Sequence, residues 1–228
     1  MKYENTKKAV FIDRPNRFIA NIALSGGVEA CHIKNTGRLG ELLLPGADMI
    51  VQQRDQKTRR TKYDLIAVYK NARLVNVDSQ APNRVFAEWL RGGGLFRNLT
   101  LLRPECRFGN SRLDFYIEAD GRRIFVETKG VTLEDGGVAL FPDAPTERGK
   151  RHLNELISCV KKGFSAYAVF IVQMKGVRYF APNAHTHAAF AKTLKEASEA
   201  GVRIIALDCD VCHNSLEISD FVDVRLNP

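Results

Sequence analysis

Residues 114–130, DFYIEADGRRIFVETKG, carry two carboxylates and a lysine at spacings that can do chemistry. Asp120-Gly121 is the signature of a two-residue type I′ turn, in which both central positions need a positive φ. That turn sets Ala119 opposite Arg122, Asp114 directly across from Glu127, and Arg112 across from Lys129. Side chains alternate along a strand, so Asp114, Glu127 and Lys129 share one face. The other face carries Leu113, Phe115, Ile117, Ile124 and Val126 and reads as core. Like charges directly opposite one another destabilise a strand pair. A divalent cation removes that conflict. Asp114, Glu127 and the backbone carbonyl of Thr128 are hard oxygen ligands suited to Mg²⁺ or Mn²⁺. Such an ion lowers the pKa of a bound water and stabilises charge on a phosphate. Lys129 would orient that water or offset charge in the transition state.

The surrounding pattern must hold this hairpin in place. Strands are expected at 101–108, 112–119 and 122–129, and the almost continuously apolar SAYAVFIVQM reads as a buried strand. Helices are expected from Ser79 and Pro82 to the glycines at 92–94, then over about 146–162 and 186–200, with a last strand in VRIIALDCDV. The stretch GVTLEDGGVALFPDAPT reads as a loop. Helix, three strands, helix, strand, helix, strand is an α/β domain with a mixed sheet, placed at 81–228. Residues 1–80 differ: five or so short strands between turn signals suggest a small β-barrel of the oligonucleotide-binding type.

Charge points to a polyanionic partner. The chain of 228 residues has a formal net charge of +8 and a pI of about 9.3. The excess is uneven: residues 1–80 hold 14 Lys and Arg against 8 Asp and Glu, and residues 81–228 hold 20 against 18. A basic barrel fits nucleic acid, with DNA the expected partner. Lys34, Arg38, Arg54, Arg59 and Arg60 are the phosphate-contact candidates. The basic stretch QQRDQKTRRTKYD ends in an aromatic, as grooves for single strands do. No apolar run reaches the roughly 18 residues of a membrane span, and the N-terminus lacks a secretory pattern. Cytoplasmic residence is the expectation. Five cysteines, an odd number, argue against a disulfide framework.

The acid on the second core strand followed by E-x-K on the third resembles the PD-(D/E)xK nuclease core. Asp114 takes the first position and Glu127-Thr128-Lys129 the second. Glu88 takes the acid often supplied by a preceding helix. Leu113 stands where that pattern has Pro. Longer segments, among them CHIKNTGRLGELLLPGA, LVNVDSQAPNRVFAEWL and VETKGVTLEDGGVALFPDAPTERGKRHLNEL, are similar to the bacterial sugar fermentation stimulation protein A family. That resemblance spans nearly the whole chain. It implies an oligonucleotide-binding-like domain joined to a PD-(D/E)xK-type domain, DNA binding, and a link to regulation of sugar (maltose) metabolism.

Other motifs carry less. CDVCH at 209–213 matches a haem-attachment pattern but lacks its helical context, and zinc would need a second ligand pair. The alternating His185 and His187 have no third partner. No Gly-rich phosphate loop is present, and neither haem nor NAD is expected. His152 follows Arg148, Lys150 and Arg151 on a helix near the expected active face, where it could contact phosphate. Two functions lead: a DNA-binding protein with a metal-dependent phosphodiester-cleaving site at Glu88, Asp114, Glu127 and Lys129, or a non-enzymatic DNA-binding regulator that uses the same fold as scaffold; a small-molecule or protein-interaction module unrelated to nucleic acid is the third.

Overall fold

The computed structural model describes residues 1–54 and 60–227. Short β-rich runs at the start of the chain form β1 (Thr6–Asn16), β2 (Ile19–Leu24), β3 (Gly27–His32), β4 (Asp48–Gln53), β5 (Tyr63–Lys70) and β6 (Arg73–Asn76). Neighbours run β3-β2-β1-β4-β5-β6, and a parallel pairing of β3 with β5 (Cys31↔Tyr63, His32↔Asp64) closes the first five strands into a barrel. β1 shifts register twice against β2, between Phe11 and Asp13 and between Asp13 and Asn16. Such bulges bend a long strand round a small barrel. Ala20, Ile22, Cys31, Met49, Val51 and Leu65 are buried along these strands.

The chain continues through α1 (Ala81–Arg91), β7 (Leu99–Phe108), β8 (Ser111–Ala119), β9 (Arg122–Val131), β10 (Leu133–Asp135) and β11 (Val138–Phe141). It then forms α2 (Glu147–Lys161), β12 (Ser165–Val172), β13 (Tyr179–Pro182), α3 (Ala184–Glu199), β14 (Arg203–Cys212) and β15 (Ser215–Val222). The main sheet has the order β15-β14-β12-β9-β8-β7. β12 runs parallel to both β9 and β14, while the outer pairs are antiparallel. The mixed sheet behind a barrel is the expected architecture. Two features exceed the reading from sequence. The stretch after β9, expected as a loop, contains β10 and β11, which build a small sheet with β13. An edge strand, β15, closes the far side.

Three helices flank the main sheet. Pro82 in the first turn of α1 costs nothing because the first helical N–H groups lack partners anyway. Val85, Phe86 and Leu90 of α1 pack with Phe115, Ile117, Ile124, Val126, Val169 and Ile171. Thr146 caps α2 by accepting from the Gly149 N–H at 3.0 Å. Leu153 and Leu156 of α2, with Phe190 and Leu194 of α3, pack with Phe125, Ala168 and Phe170. Even-numbered β9 residues around Val126 therefore look toward α1, and odd-numbered ones around Phe125 look toward α2. Ile50, Ile66 and Ala67 of the barrel join the α1 core, so barrel and sheet share buried surface.

Candidate functional site

The hairpin has the register that Asp120-Gly121 dictates. Ala119↔Arg122, Ile117↔Ile124 and Phe115↔Val126 are paired, and both turn residues have positive φ, 50° and 71°. The ladder stops at Phe115↔Val126, one residue before Asp114 would meet Glu127. There Asp114 meets the next β9 residue. Its Oδ2 accepts the Thr128 N–H at 2.8 Å, and the Thr128 hydroxyl lies 2.8 Å from the same oxygen. Asn83 in the first turn of α1 donates its Nδ2 to Asp114 Oδ1 at 3.0 Å, and its own Oδ1 meets the Thr128 hydroxyl. The like-charge conflict is thus relieved in part by geometry: Asp114 is bound to neutral donors beside the strand end.

Glu127 is odd-numbered on β9 and so looks toward α2, where its side chain is 3% exposed. His152 of α2 and Lys129 both contact its Oε1. The Arg148 Nε–H points at His152 Nε2 at 3.4 Å. A nitrogen that accepts cannot carry the proton, so the tautomer consistent with both contacts puts the proton on Nδ1, donating to Glu127. Burial pushes the Glu127 carboxyl up, but the His152 hydrogen bond and the charge and hydrogen bond of Lys129 outweigh it and hold Glu127 below the ordinary carboxylate value. Glu127 Oε2 is buried and has no hydrogen-bond partner.

Asp114, Glu127, Thr128, Lys129 and Arg148 line one cleft of about 270 Å³, together with Asn83, Ser79, Pro82, Gly130, Thr146 and Gly149. Among the described residues no group of three His, Cys, Asp or Glu side chains is arranged to hold a metal ion. The donors present still fit a hard divalent cation. Two carboxylates share the cleft, and one has a buried oxygen that no protein group satisfies. Mg²⁺ commonly takes one or two carboxylates and completes its shell with water and phosphate oxygens.

Some expected residues lie elsewhere. Glu88 does not reach this cleft. It is half exposed and pairs with the Met1 ammonium at 2.8 Å. Asn83 is the α1 residue that faces Asp114, and a residue five positions on lies well round the helix from it. Lys34 is not a free phosphate contact either. Its side chain is 9% exposed and its ammonium lies 2.9 Å from Asp78 and 3.7 Å from Asp64. Arg54 is turned to Asp64 at 3.1 Å. Arg38 and Arg60 are exposed, and Arg59 lies outside the described residues. Asn83 was missed from sequence. Its only signal was its place in the first turn of the helix beside the hairpin.

This geometry belongs to a chain with close relatives. The model described as "Sugar fermentation stimulation protein RE domain" matches residues 80–215, and "SfsA N-terminal OB domain" matches residues 12–77. The chain belongs to the sugar fermentation stimulation protein family. The family's homologue in Desulfitobacterium hafniense (strain DSM 10664 / DCB-2) is 56% identical over 226 residues, covering 99% of each chain. The family's homologue in Clostridium beijerinckii is 52% identical, covering 99% of this chain and all of its own. A solved family structure, described as Pyrococcus furiosus SfsA in complex with Ca²⁺, superposes with a TM-score of 0.90 at 31% identity. It covers 99% of this chain and 98% of that one. Among the described residues no helix is long and apolar enough to cross a membrane.

Proposed function

We propose that the chain binds DNA and cleaves phosphodiester bonds with Mg²⁺ or Mn²⁺ at the cleft of Asp114, Glu127 and Lys129. The observation that carries this reading is the buried, unpartnered Oε2 of an ionised Glu127 in the same cleft as a second carboxylate and two cations. Asp114 and Glu127 would hold the metal, with the Thr128 carbonyl as the backbone donor expected from sequence. The ion, when bound, would activate water and offset phosphate charge. His152 keeps Glu127 deprotonated and oriented. Lys129 would offset the charge that develops on the phosphate, and Arg148 in the same cleft would bind a flanking phosphate. The Ca²⁺ complex described for the Pyrococcus furiosus relative supports a divalent cation in this family. The net charge of +8 and the barrel support a polyanionic partner, and the family's name supports a setting in sugar fermentation.

A second reading, a DNA-binding regulator without catalysis, is favoured by one feature: both Asp114 oxygens are already engaged by Asn83 and Thr128. Incubation of single- and double-stranded DNA with Mg²⁺ or Mn²⁺ separates the two. Cleavage by the wild type that Lys129→Ala and Asp114→Asn abolish is the expected result. Binding with no cleavage by the wild type would favour the regulator.

A further inference from the structure

Beside the cleft lies a second cavity of about 400 Å³, between the barrel loop at Asn35–Gly37, the start of α1, and the segment Leu140–Thr146. Ser79, Pro82, Gly130 and Thr146 line both spaces, so they are adjoining chambers. Their chemistry differs. The cleft holds Lys129 and Arg148 beside its carboxylates. The second chamber has no cation in its lining among the described residues, and its one charged side chain is Asp143. A phosphate is repelled there. A neutral group with apolar faces and a polar edge is not.

We propose that this chamber takes one unpaired nucleobase of a single strand whose phosphate sits in the cleft; the inference rests on the phosphodiester reading above. Leu133, Leu140 and Phe141 supply an apolar wall. Gln173 supplies a fixed acceptor: it is 1% exposed, and its Nε2 is committed to Asn76 at 2.8 Å and the Asp78 carbonyl at 3.1 Å. That leaves its Oε1 over Gly130, where a Cβ would lie only 2.4 Å away. Asp143 is held by the Arg38 N–H at 3.0 Å. A volume near 400 Å³ falls within the roughly 300–1,000 Å³ of pockets that enclose small ligands.

The approach is built for a strand as well. The Arg14 guanidinium donates to the carbonyls of Arg17, Asn35, Gly37 and Arg38. It thereby ties the β1–β2 hairpin tip to the chamber's barrel wall. On that tip Phe18 is 44% exposed with the Arg17 guanidinium 5.0 Å from its ring centre. An exposed ring beside a cation is a stacking platform for a base. A base within a duplex must leave its stack and its partner to enter the chamber, whereas a single strand gives up little.

The test is a binding measurement by fluorescence anisotropy with Ca²⁺ present. The probes are a short single-stranded oligonucleotide, the same strand with abasic sites, and the matching duplex. The wild type is expected to bind the intact single strand about tenfold tighter than the abasic strand or the duplex. Ala144→Trp and Thr36→Trp, which fill the chamber from two of its walls, should bring both ratios toward one while melting cooperatively. Equal wild-type affinity for intact and abasic strands overturns the base pocket without any variant. Unchanged ratios in both folded variants overturn it as well, and leave the phosphate cleft standing. No binding to any DNA at low salt would sink the phosphodiester reading, and this inference with it.

Discussion

Removing the His152 imidazole should expose how the buried Glu127 charge is kept. Glu127 is 3% exposed and His152 5%, so neither is rescued by bulk water. His152→Leu replaces the ring with an apolar side chain of similar size, which keeps the cavity small and deletes the hydrogen bond. A hydrogen bond to a charged group contributes about 1.5–3 kcal/mol. Breaking a buried pair outright costs about 3–5 kcal/mol, but Lys129 remains beside the carboxylate. A loss of about 2 kcal/mol near neutral pH is expected. In the folded chain Glu127 titrates below its ordinary value of 4.5. Its charge therefore contributes stability above that value, and the contribution is lost as pH falls through the folded pKa. In His152→Leu only Lys129 offsets burial, so the folded pKa rises and the contribution shrinks. The difference between wild type and variant should be widest near neutral pH and close as both carboxyls protonate in acid. Urea unfolding across that pH range measures it. His152→Asn, whose amide nitrogen lies near the place of Nδ1, should recover part of the loss. A pH-independent gap, or an Asn variant no better than Leu, would refute the role assigned to His152.

Four further outcomes follow from the placements. Glu88→Gln should keep DNA cleavage within about twofold and cost less than about 1 kcal/mol in urea unfolding, because Glu88 is half exposed and away from the cleft, the glutamine oxygen can still accept from the Met1 ammonium, and that ammonium keeps its bond to the Leu216 carbonyl at 2.7 Å. Lys34→Ala should cost about 3 kcal/mol by leaving Asp78 buried and unpaired. Arg38→Ala should instead leave stability within about 0.5 kcal/mol and lower the salt slope of DNA binding by about 1. Gly130→Ala would put a Cβ 2.4 Å from Gln173 Oε1 and 2.8 Å from Pro82 Cγ. It should destabilise by about 1–3 kcal/mol, read by urea unfolding.

Local signals determined much of this protein. Asp120-Gly121 set the hairpin register because a two-residue turn leaves no freedom in the pairing. The helical spacing of Val85, Phe86, Trp89 and Leu90 marked α1, and that of Leu153, Leu156, Ile157 and Val160 marked α2, because a helix must bury one stripe. The dense turn signals before residue 80 marked the barrel's short strands. Tertiary structure alone decided the rest. β10 and β11 are short, and their small sheet is completed only by β13, some forty residues on in the chain. Asp114 leaves the strand pairing to bind Thr128 and Asn83, a side-chain bond that alternation along a strand does not encode. Glu127 finds His152 because α2 packs on the odd-numbered face of β9, and Glu88 is turned away because Asn83 is the α1 residue that meets the strand end. Lys34 counted as a surface charge until Asp64 and Asp78 enclosed it. Periodicity says which face of an element is buried. Which element covers that face, and so which charges meet, depends on contacts between residues far apart in sequence.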